Sequence, residues 1–134
     1  MTIPITMRAK NLYYCLRYRF PLRLLLCDLD LSIFPPGTFF AHPYGVTLNT
    51  RASFGKNCLI RQNVTVGYRW KTDGSEQGAK IGNNVRLEAG CIVLGPVVIG
   101  DRAIIGAGAV VLDNIPAGAV AVGNPARVVK YREE

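Results

Sequence analysis

With 134 residues the chain has room for one domain and little more. Sixteen Lys and Arg residues against nine Asp and Glu give a formal net charge of +7, which favours nucleic acid, an anionic membrane or a phosphorylated small molecule as partner. The sequence contains no nucleic-acid-binding motif, so we expect a phosphorylated ligand and no nucleic acid. No stretch has the apolar length of a membrane span.

Four cysteines are present: Cys15, Cys27, Cys58 and Cys91. They lack the paired spacing of a metal site, so we predict no metal, and core packing is the expected role of the last two. The apolar run from Leu24 to Cys27 is short and follows Arg23, which does not fit a signal peptide. Reduced thiols without an export signal predict a cytoplasmic protein.

Residues 1–31 show no repeat and are predicted to form a helical segment. One face of this helix would carry four apolar residues: Leu12, Tyr13, Leu16 and Phe20. Pro21 would end or restart the helix. Two interpretations stay open. The segment is either a cap over the open end of the following domain, or a basic, aromatic segment whose residues 8–23 contact a membrane surface.

Residues 32–134 are predicted to form a domain built on a period of six. Cut in sixes, residues 36–71 give PGTFFA, HPYGVT, LNTRAS, FGKNCL, IRQNVT and VGYRWK, and residues 81–116 give IGNNVR, LEAGCI, VLGPVV, IGDRAI, IGAGAV and VLDNIP. In the second block each unit begins with a branched aliphatic residue, and its fifth residue is small or aliphatic. An α-helix repeats its face near every 3.6 residues and a strand every second residue, so neither fits. The pattern predicts a solenoid that turns a corner every six residues, where Gly or Asn provides backbone freedom.

The period of six is interrupted between Val66 and Ile81. Residues 68–80, YRWKTDGSEQGAK, are polar and contain two glycines and the only Trp, which predicts a loop outside the coil. Solenoids usually carry such insertions on the binding face, so we interpret this segment as an active-site loop. The number of units predicts roughly four coils, and residues 117–134 are predicted to cap the C-terminal end.

This repeat resembles that of the hexapeptide-repeat acyltransferases. The segment VGNPARVV resembles their terminal motif. The run HPYGVTLNTRASFGKNCLIRQNVTVG, which begins at His42, resembles the serine acetyltransferase branch, including enzymes that acetylate surface and exopolysaccharide sugars. The resemblance covers about residues 36 to 130. It implies an all-β, left-handed parallel β-helix, acetyl-CoA as co-substrate and a homotrimer; a β-solenoid without an enzymatic role is the alternative.

The resemblance places the catalytic histidine at His42, the only histidine of the chain. An imidazole within hydrogen-bond reach takes the proton of an acceptor hydroxyl as the hydroxyl attacks a thioester, which is typically worth a rate factor of about 10² to 10⁴. A carboxylate normally orients such a histidine, and Asp30 is the nearest candidate upstream. The developing oxyanion needs a donor, for which the backbone N–H of Gly67 is the candidate.

The family binds coenzyme A in a groove between adjacent subunits, against small corner residues. On this sequence the resemblance places these contacts at Ala89, Gly106 and Ala107, with Arg127 near a phosphate. For each alanine or glycine the alternative role is plain corner geometry. Three aromatic residues are candidates for acceptor binding: Tyr44, Tyr68 and Trp70. The last two would stack on a sugar face or, alternatively, pack the loop against a neighbour.

Two residues of the serine acetyltransferases are replaced in this chain. Those enzymes carry an Asp before the catalytic His, which helps bind serine, and a second His in the active-site loop; here Ala41 and Gly78 take these places. The sequence therefore predicts O-acetylation of a sugar or saccharide hydroxyl, with serine O-acetylation and a non-catalytic scaffold as alternatives. A γ-type carbonic anhydrase, built on the same helix, is excluded because its zinc site needs three histidines.

Overall fold

The computed structural model describes residues 34–133, except for 43, 50, 71, 72 and 75. The predicted N-terminal helix, the membrane-contact segment 8–23 and Asp30 lie outside these residues. The described residues form strands and turns but no helix, and hence no helix that could cross a membrane. They contain fifteen short strands: β1 Phe39–Ala41, β2 Thr47–Leu48, β3 Ser53–Phe54, β4 Leu59–Arg61, β5 Thr65–Gly67, β6 Arg69–Trp70, β7 Glu76–Gln77, β8 Lys80–Ile81, β9 Arg86–Leu87, β10 Ile92–Leu94, β11 Val98–Ile99, β12 Ile104–Ile105, β13 Val110–Val111, β14 Ala119–Val122 and β15 Arg127–Tyr131.

Each of the first three coils contributes one strand to each of three sheets, and strands of successive coils pair in parallel. The first sheet has the order β1-β4-β9-β12-β14-β15, the second β13-β10-β5-β2 and the third β11-β8-β3. A bridge between Ile99 and Ile115 brings the fourth coil into the third sheet. The final strand, β15, turns back antiparallel to β14. The predicted all-β, left-handed parallel β-helix of hexapeptide repeats is confirmed for the described residues.

The core is the interior of the coil, and the first and fifth residues of the units fill it. All first-position side chains of the second block are buried: Ile81, Leu87, Val93, Ile99, Ile105 and Val111. So are all fifth-position ones: Val85, Cys91, Val97, Ala103, Ala109 and Ile115. Fourth-position residues turn the corner, and Asn57, Asn63 and Asn84 have φ of 58, 56 and 56°, in the left-handed region that Asn tolerates.

The predicted phase is wrong for the first unit, PGTFFA, whereas the second unit, HPYGVT, has its fifth residue Val46 in the core as predicted. The register pairs Phe40 with Ile60, so Phe40 is a first-position residue and not a fifth-position one. Eight positions separate Phe40 from the next first-position residue, Leu48, whereas six separate Ile60 from its successor. The two additional positions enlarge the corner that contains His42. A corner can extend outward in this way because only the inward residues are fixed by core packing.

The interruption of the repeat is a loop that leaves the coil at the end of the second sheet. Fifteen positions separate Val66 from Ile81, whereas six separate the equivalent Val93 and Ile99 in the next coil. Within the loop, β6 and β7 pair as an antiparallel hairpin. The chain rejoins the third sheet at β8, so the insertion leaves the interior of the coil undisturbed.

Candidate active site

His42 stands in the enlarged corner between β1 and β2. Its backbone has φ of 57°, in the left-handed region that few non-glycine residues adopt, and its side chain is exposed. The N–H of Tyr44 donates to the His42 carbonyl at 2.7 Å, which closes the corner. Within the described residues no group hydrogen-bonds the imidazole, and Asp30, its predicted carboxylate partner, lies outside them. Such backbone conformations concentrate at functional sites.

The corner of His42 continues along the helix axis as one edge of the prism. Three backbone hydrogen bonds join successive coils there: the Asn63 N–H donates to Tyr44 at 2.8 Å, the Gly90 N–H to Gln62 at 3.0 Å, and the Gly108 N–H to Ala89 at 2.9 Å. We call this the His42 edge, formed by His42, Tyr44, Gln62, Ala89 and Ala107. The predicted base His42 and the predicted acceptor contact Tyr44 therefore lie on the same edge as two predicted coenzyme contacts, Ala89 and Ala107.

Two of the predicted coenzyme contacts offer room for a narrow ligand. Ala89 and Ala107 end at a methyl group, and Ala107 is exposed, so their side chains leave the neighbouring backbone open to a narrow ligand. Gly106 has a different environment. A Cβ at this position would lie 2.7 Å from Val122 Cγ1 in the next coil, so Val122 would have to shift and packing by itself already favours glycine.

Arg127, the predicted phosphate contact, begins β15 and is exposed. Its NH1 lies 3.5 Å from Asp113 Oδ2 and donates to the Ala126 carbonyl at 2.9 Å. An ion pair this exposed contributes little stability, so the guanidinium can exchange its partner for a phosphate. The arrangement therefore fits the predicted role.

Gly67 lies at the other end of the second sheet from the His42 edge. A strand rises roughly 3.3 Å per residue, so the five residues from Gln62 to Gly67 separate the two corners by on the order of 15 Å. One chain therefore does not bring the Gly67 N–H to His42. Tyr68, which is half-buried, and the backbone of Trp70 lie on the Gly67 side. Within one chain the predicted base and the predicted oxyanion donor therefore lie at separate corners.

Arg69 holds the loop against the coils that follow. Its Nε donates to the Gly95 carbonyl at 3.1 Å and its NH2 to the Leu112 carbonyl at 2.9 Å. Sequence reasoning missed this residue, because the carbonyls lie 26 and 43 positions further along the chain. The only sequence signal is that Arg69 lies between the two loop aromatics. A solvent-exposed arginine without any structural role would show the same pattern.

Gly78 closes the other end of the loop. A Cβ at this position would collide with the Arg51 carbonyl, so the backbone leaves no room for a side chain. The loop histidine of the serine acetyltransferases therefore has no equivalent here. A groove of about 650 Å³ opens beside Gly78 on the outer face of the third sheet. Its other lining residues are Arg51, Ser53, Gln77, Lys80, Pro96, Val97, Val98 and Asn114.

Sequence reasoning also missed a charged cluster on the outer face of the first sheet. Glu88 Oε2 lies 2.6 Å from Arg61 Nε, and Glu88 Oε1 lies 2.6 Å from Arg86 NH2. We call these three residues the Arg61 cluster. Arg61 occupies a second position in its unit, where the repeat imposes no residue type, so the period gave no signal.

Comparison with known proteins gives a consistent set of relatives. Residues 78–113 match the family model of the bacterial transferase hexapeptide (six repeats). The chain is 43% identical over 96 residues to a serine acetyltransferase of Synechococcus elongatus, which covers 72% of this chain and 38% of the relative. It is 42% identical over 89 residues to the putative colanic acid biosynthesis acetyltransferase WcaB of Escherichia coli, which covers 65% of this chain and 52% of the relative.

A solved structure of similar fold is a serine acetyltransferase in complex with CoA. It superposes with a TM-score of 0.64 at 28% identity, covering 87% of this chain and 51% of that one. The present chain thus spans between about two fifths and one half of the length of these relatives.

Proposed function

The chain is a hexapeptide-repeat β-helix protein related to the serine acetyltransferases, and from that premise we propose that it is an acetyl-CoA-dependent O-acetyltransferase. The observation that carries the proposal is the His42 edge. An exposed histidine in a left-handed, enlarged corner lies in line with the small residues Ala89 and Ala107. The CoA complex of a related serine acetyltransferase supports the choice of donor.

In the proposed reaction His42 acts as general base. The acceptor oxygen attacks the thioester carbonyl carbon as its proton passes to an imidazole nitrogen of His42. The resulting oxyanion collapses, the C–S bond breaks, and the proton moves from His42 to the departing thiolate. The products are an acetyl ester and free coenzyme A, without a covalent enzyme intermediate. Ala89 and Ala107 would hold the pantetheine arm, and Arg127 a phosphate.

Serine is the acceptor that the relatives favour. A relative that is 43% identical carries the name serine acetyltransferase. This name supports serine O-acetylation, the alternative function predicted from the sequence, better than O-acetylation of a sugar. The carboxylate of serine and its hydroxyl would be the groups recognised. Serine is therefore the first acceptor of our proposal.

A sugar hydroxyl is the second candidate, and a specific observation favours it. The two acceptor-side residues of the serine acetyltransferases are replaced by Ala41 and Gly78, and the backbone at Gly78 leaves no room for a histidine. A relative of 42% identity is named as a colanic acid biosynthesis acetyltransferase, which is consistent with a saccharide acceptor.

We propose a homotrimer as the active form, with the Gly67 corner of one copy facing the His42 edge of the next. The separation of these corners within one chain supports this arrangement. Mixing His42→Asn protein with Gly67→Val protein, whose added side chain would obstruct the approach to the Gly67 N–H, tests it, since mixed trimers would regain some activity. Equal inactivity of the mixture and its parents would count against a shared site. Membrane contact through residues 8–23 and a cytoplasmic location stay predictions.

The experiment that tests the function is free-thiol release from acetyl-CoA with serine and a panel of sugars, alongside His42→Asn. Turnover with serine that collapses in the variant supports the first acceptor, and turnover with a sugar alone supports the second. Absence of both thiol release and acetyl-CoA binding would favour the non-catalytic scaffold.

A further inference from the structure

We propose that Arg61 and Arg86 form a binding site for an oxyanion group of the acceptor, a carboxylate or a phosphate, beside His42. The inference rests on the proposed acetyl transfer and deepens it by naming a chemical property of the acceptor.

The position of Arg61 follows from the strand register. Arg61 pairs with Ala41, the residue that precedes His42, across neighbouring strands that lie about 4.8 Å apart. Its side chain therefore emerges one coil below the corner of His42. Ala41 ends at its Cβ, so the first coil places no polar side chain over Arg61 at this register position. Its guanidinium reaches the Glu88 carboxylate of the third coil, so an acceptor that presents its hydroxyl to His42 would meet it by extending about one further coil, roughly 4.8 Å, along the helix axis.

The charge of the cluster is unbalanced, because two guanidinium groups share the single carboxylate of Glu88. The side chains of Arg61, Arg86 and Glu88 are 37%, 30% and 18% exposed. At this partial burial, solvent and salt screen the excess positive charge less than on an open surface. The cluster therefore favours an anion as its additional partner.

Several buried polar atoms of this region lack hydrogen bonds. Among the described residues, Arg86 Nε and Gln62 Oε1 have no hydrogen-bond partner, and Arg61 Nε contacts Glu88 without hydrogen-bond alignment. Buried polar atoms are normally satisfied, so the ion pairs of this cluster leave part of its hydrogen-bonding capacity unused. The planar, multi-donor guanidinium is the side chain best suited to carboxylate and phosphate oxygens.

The decisive experiment compares matched acceptors that differ in charge: serine with serinamide, and galactose with galacturonate and galactose 6-phosphate. Steady-state thiol release is measured for the unaltered protein and for Arg61→Gln, Arg61→Lys and Glu88→Gln. Arg132→Gln is the control, since Arg132 donates to the Arg102 carbonyl at 3.3 Å, away from the His42 edge. The galacturonate and phosphate arms distinguish the two kinds of oxyanion.

We expect Arg61→Gln to raise KM for charged acceptors by about tenfold or more and to leave neutral ones unchanged, because it removes a charge-assisted hydrogen bond. Glu88→Gln releases both guanidinium groups and should lower KM for the same acceptors. Arg61→Lys should give a KM for charged acceptors between those of the unaltered protein and Arg61→Gln. Equal changes for charged and neutral acceptors, together with a lower melting temperature in all three variants, would overturn the site and leave a structural ion pair.

The site can fail independently of the proposed function. If the unaltered protein acetylates no acceptor, acetyl transfer fails and calorimetry with inorganic phosphate tests the site alone. Phosphate binding that weakens in Arg61→Gln and strengthens in Glu88→Gln retains the oxyanion site. Phosphate binding that is absent, or equal in all variants, refutes it whatever the outcome of the transfer assay.

Discussion

Gly78 and Arg51 stack backbone to backbone, so that a side chain at Gly78 would collide with the Arg51 carbonyl. The contact joins the end of the loop to the preceding coil. On the following coil, a Cβ at Gly95 would lie 2.6 Å from the Gln77 carbonyl. Three successive coils therefore approach as closely at this corner as backbone allows. The position that corresponds to the loop histidine of the serine acetyltransferases is Gly78, and the neighbouring backbone leaves no space there for a side chain.

The substitution Gly78→Ala should destabilise the fold by about 1–3 kcal/mol, because neighbouring backbone must move to admit the methyl group. Urea unfolding measures the effect. Gly74→Asn is the matched control, since a Cβ at Gly74 meets nothing within 4 Å and Asn tolerates its φ of 77°. Equal stability of Gly78→Ala and the unaltered protein would contradict the close stacking.

His42→Asn should lower the rate of acetyl transfer by about 10² to 10⁴, because Asn cannot accept the acceptor proton. Asn is preferred to Ala here because it tolerates the left-handed backbone of this corner, so the fold is retained. Thiol release measures the rate and calorimetry measures acetyl-CoA binding, which should be unchanged. Full activity of the variant would exclude His42 as the base.

Arg69→Ala should loosen the loop while changing the free energy of global unfolding by less than about 1 kcal/mol, since both lost hydrogen bonds are near the surface. Faster amide hydrogen exchange in residues 68–78 is the expected signature. Arg69→Lys keeps one donor group and should be intermediate, and Arg132→Ala should leave the loop unaffected. Unchanged exchange in Arg69→Ala would show that the loop is held by its other contacts.

Burial, with a smaller contribution from Glu88, raises the pKa of the Cys91 thiol from its ordinary 9.0 to about 12. The unfolded chain releases this proton near pH 9.0, whereas the folded chain keeps it to about pH 12. The stability contributed by the neutral thiol is therefore complete below pH 9 and is lost as the pH rises towards 12. Urea unfolding at several pH values should show a shallower alkaline loss in Cys91→Ala than in the unaltered protein. If the stability of both proteins changes with pH in the same way, the raised pKa of Cys91 is refuted.

The sequence by itself determined the β-helix, because the six-residue period is local: each unit carries the same two inward positions and the same corner. It also predicted the loop, from the break between Val66 and Ile81, and singled out His42 as the candidate base, from the motif around it. The error at the first unit has a physical cause. Phe39 and Phe40 are both aromatic, and only the pairing of Phe40 with Ile60 decides which of them faces the core.

Tertiary structure decided what the outward residues do, because the period constrains only those that face the core. The reach of Arg69 to the Leu112 carbonyl spans 43 positions, and no local pattern encodes it. Likewise, the stacking of coils joins Arg61 to Glu88 and aligns His42 with Ala89 and Ala107, while it places Gly67 at a different corner. Sequence spacing fixes which residues recur on a coil, but the register between coils fixes which of them become neighbours.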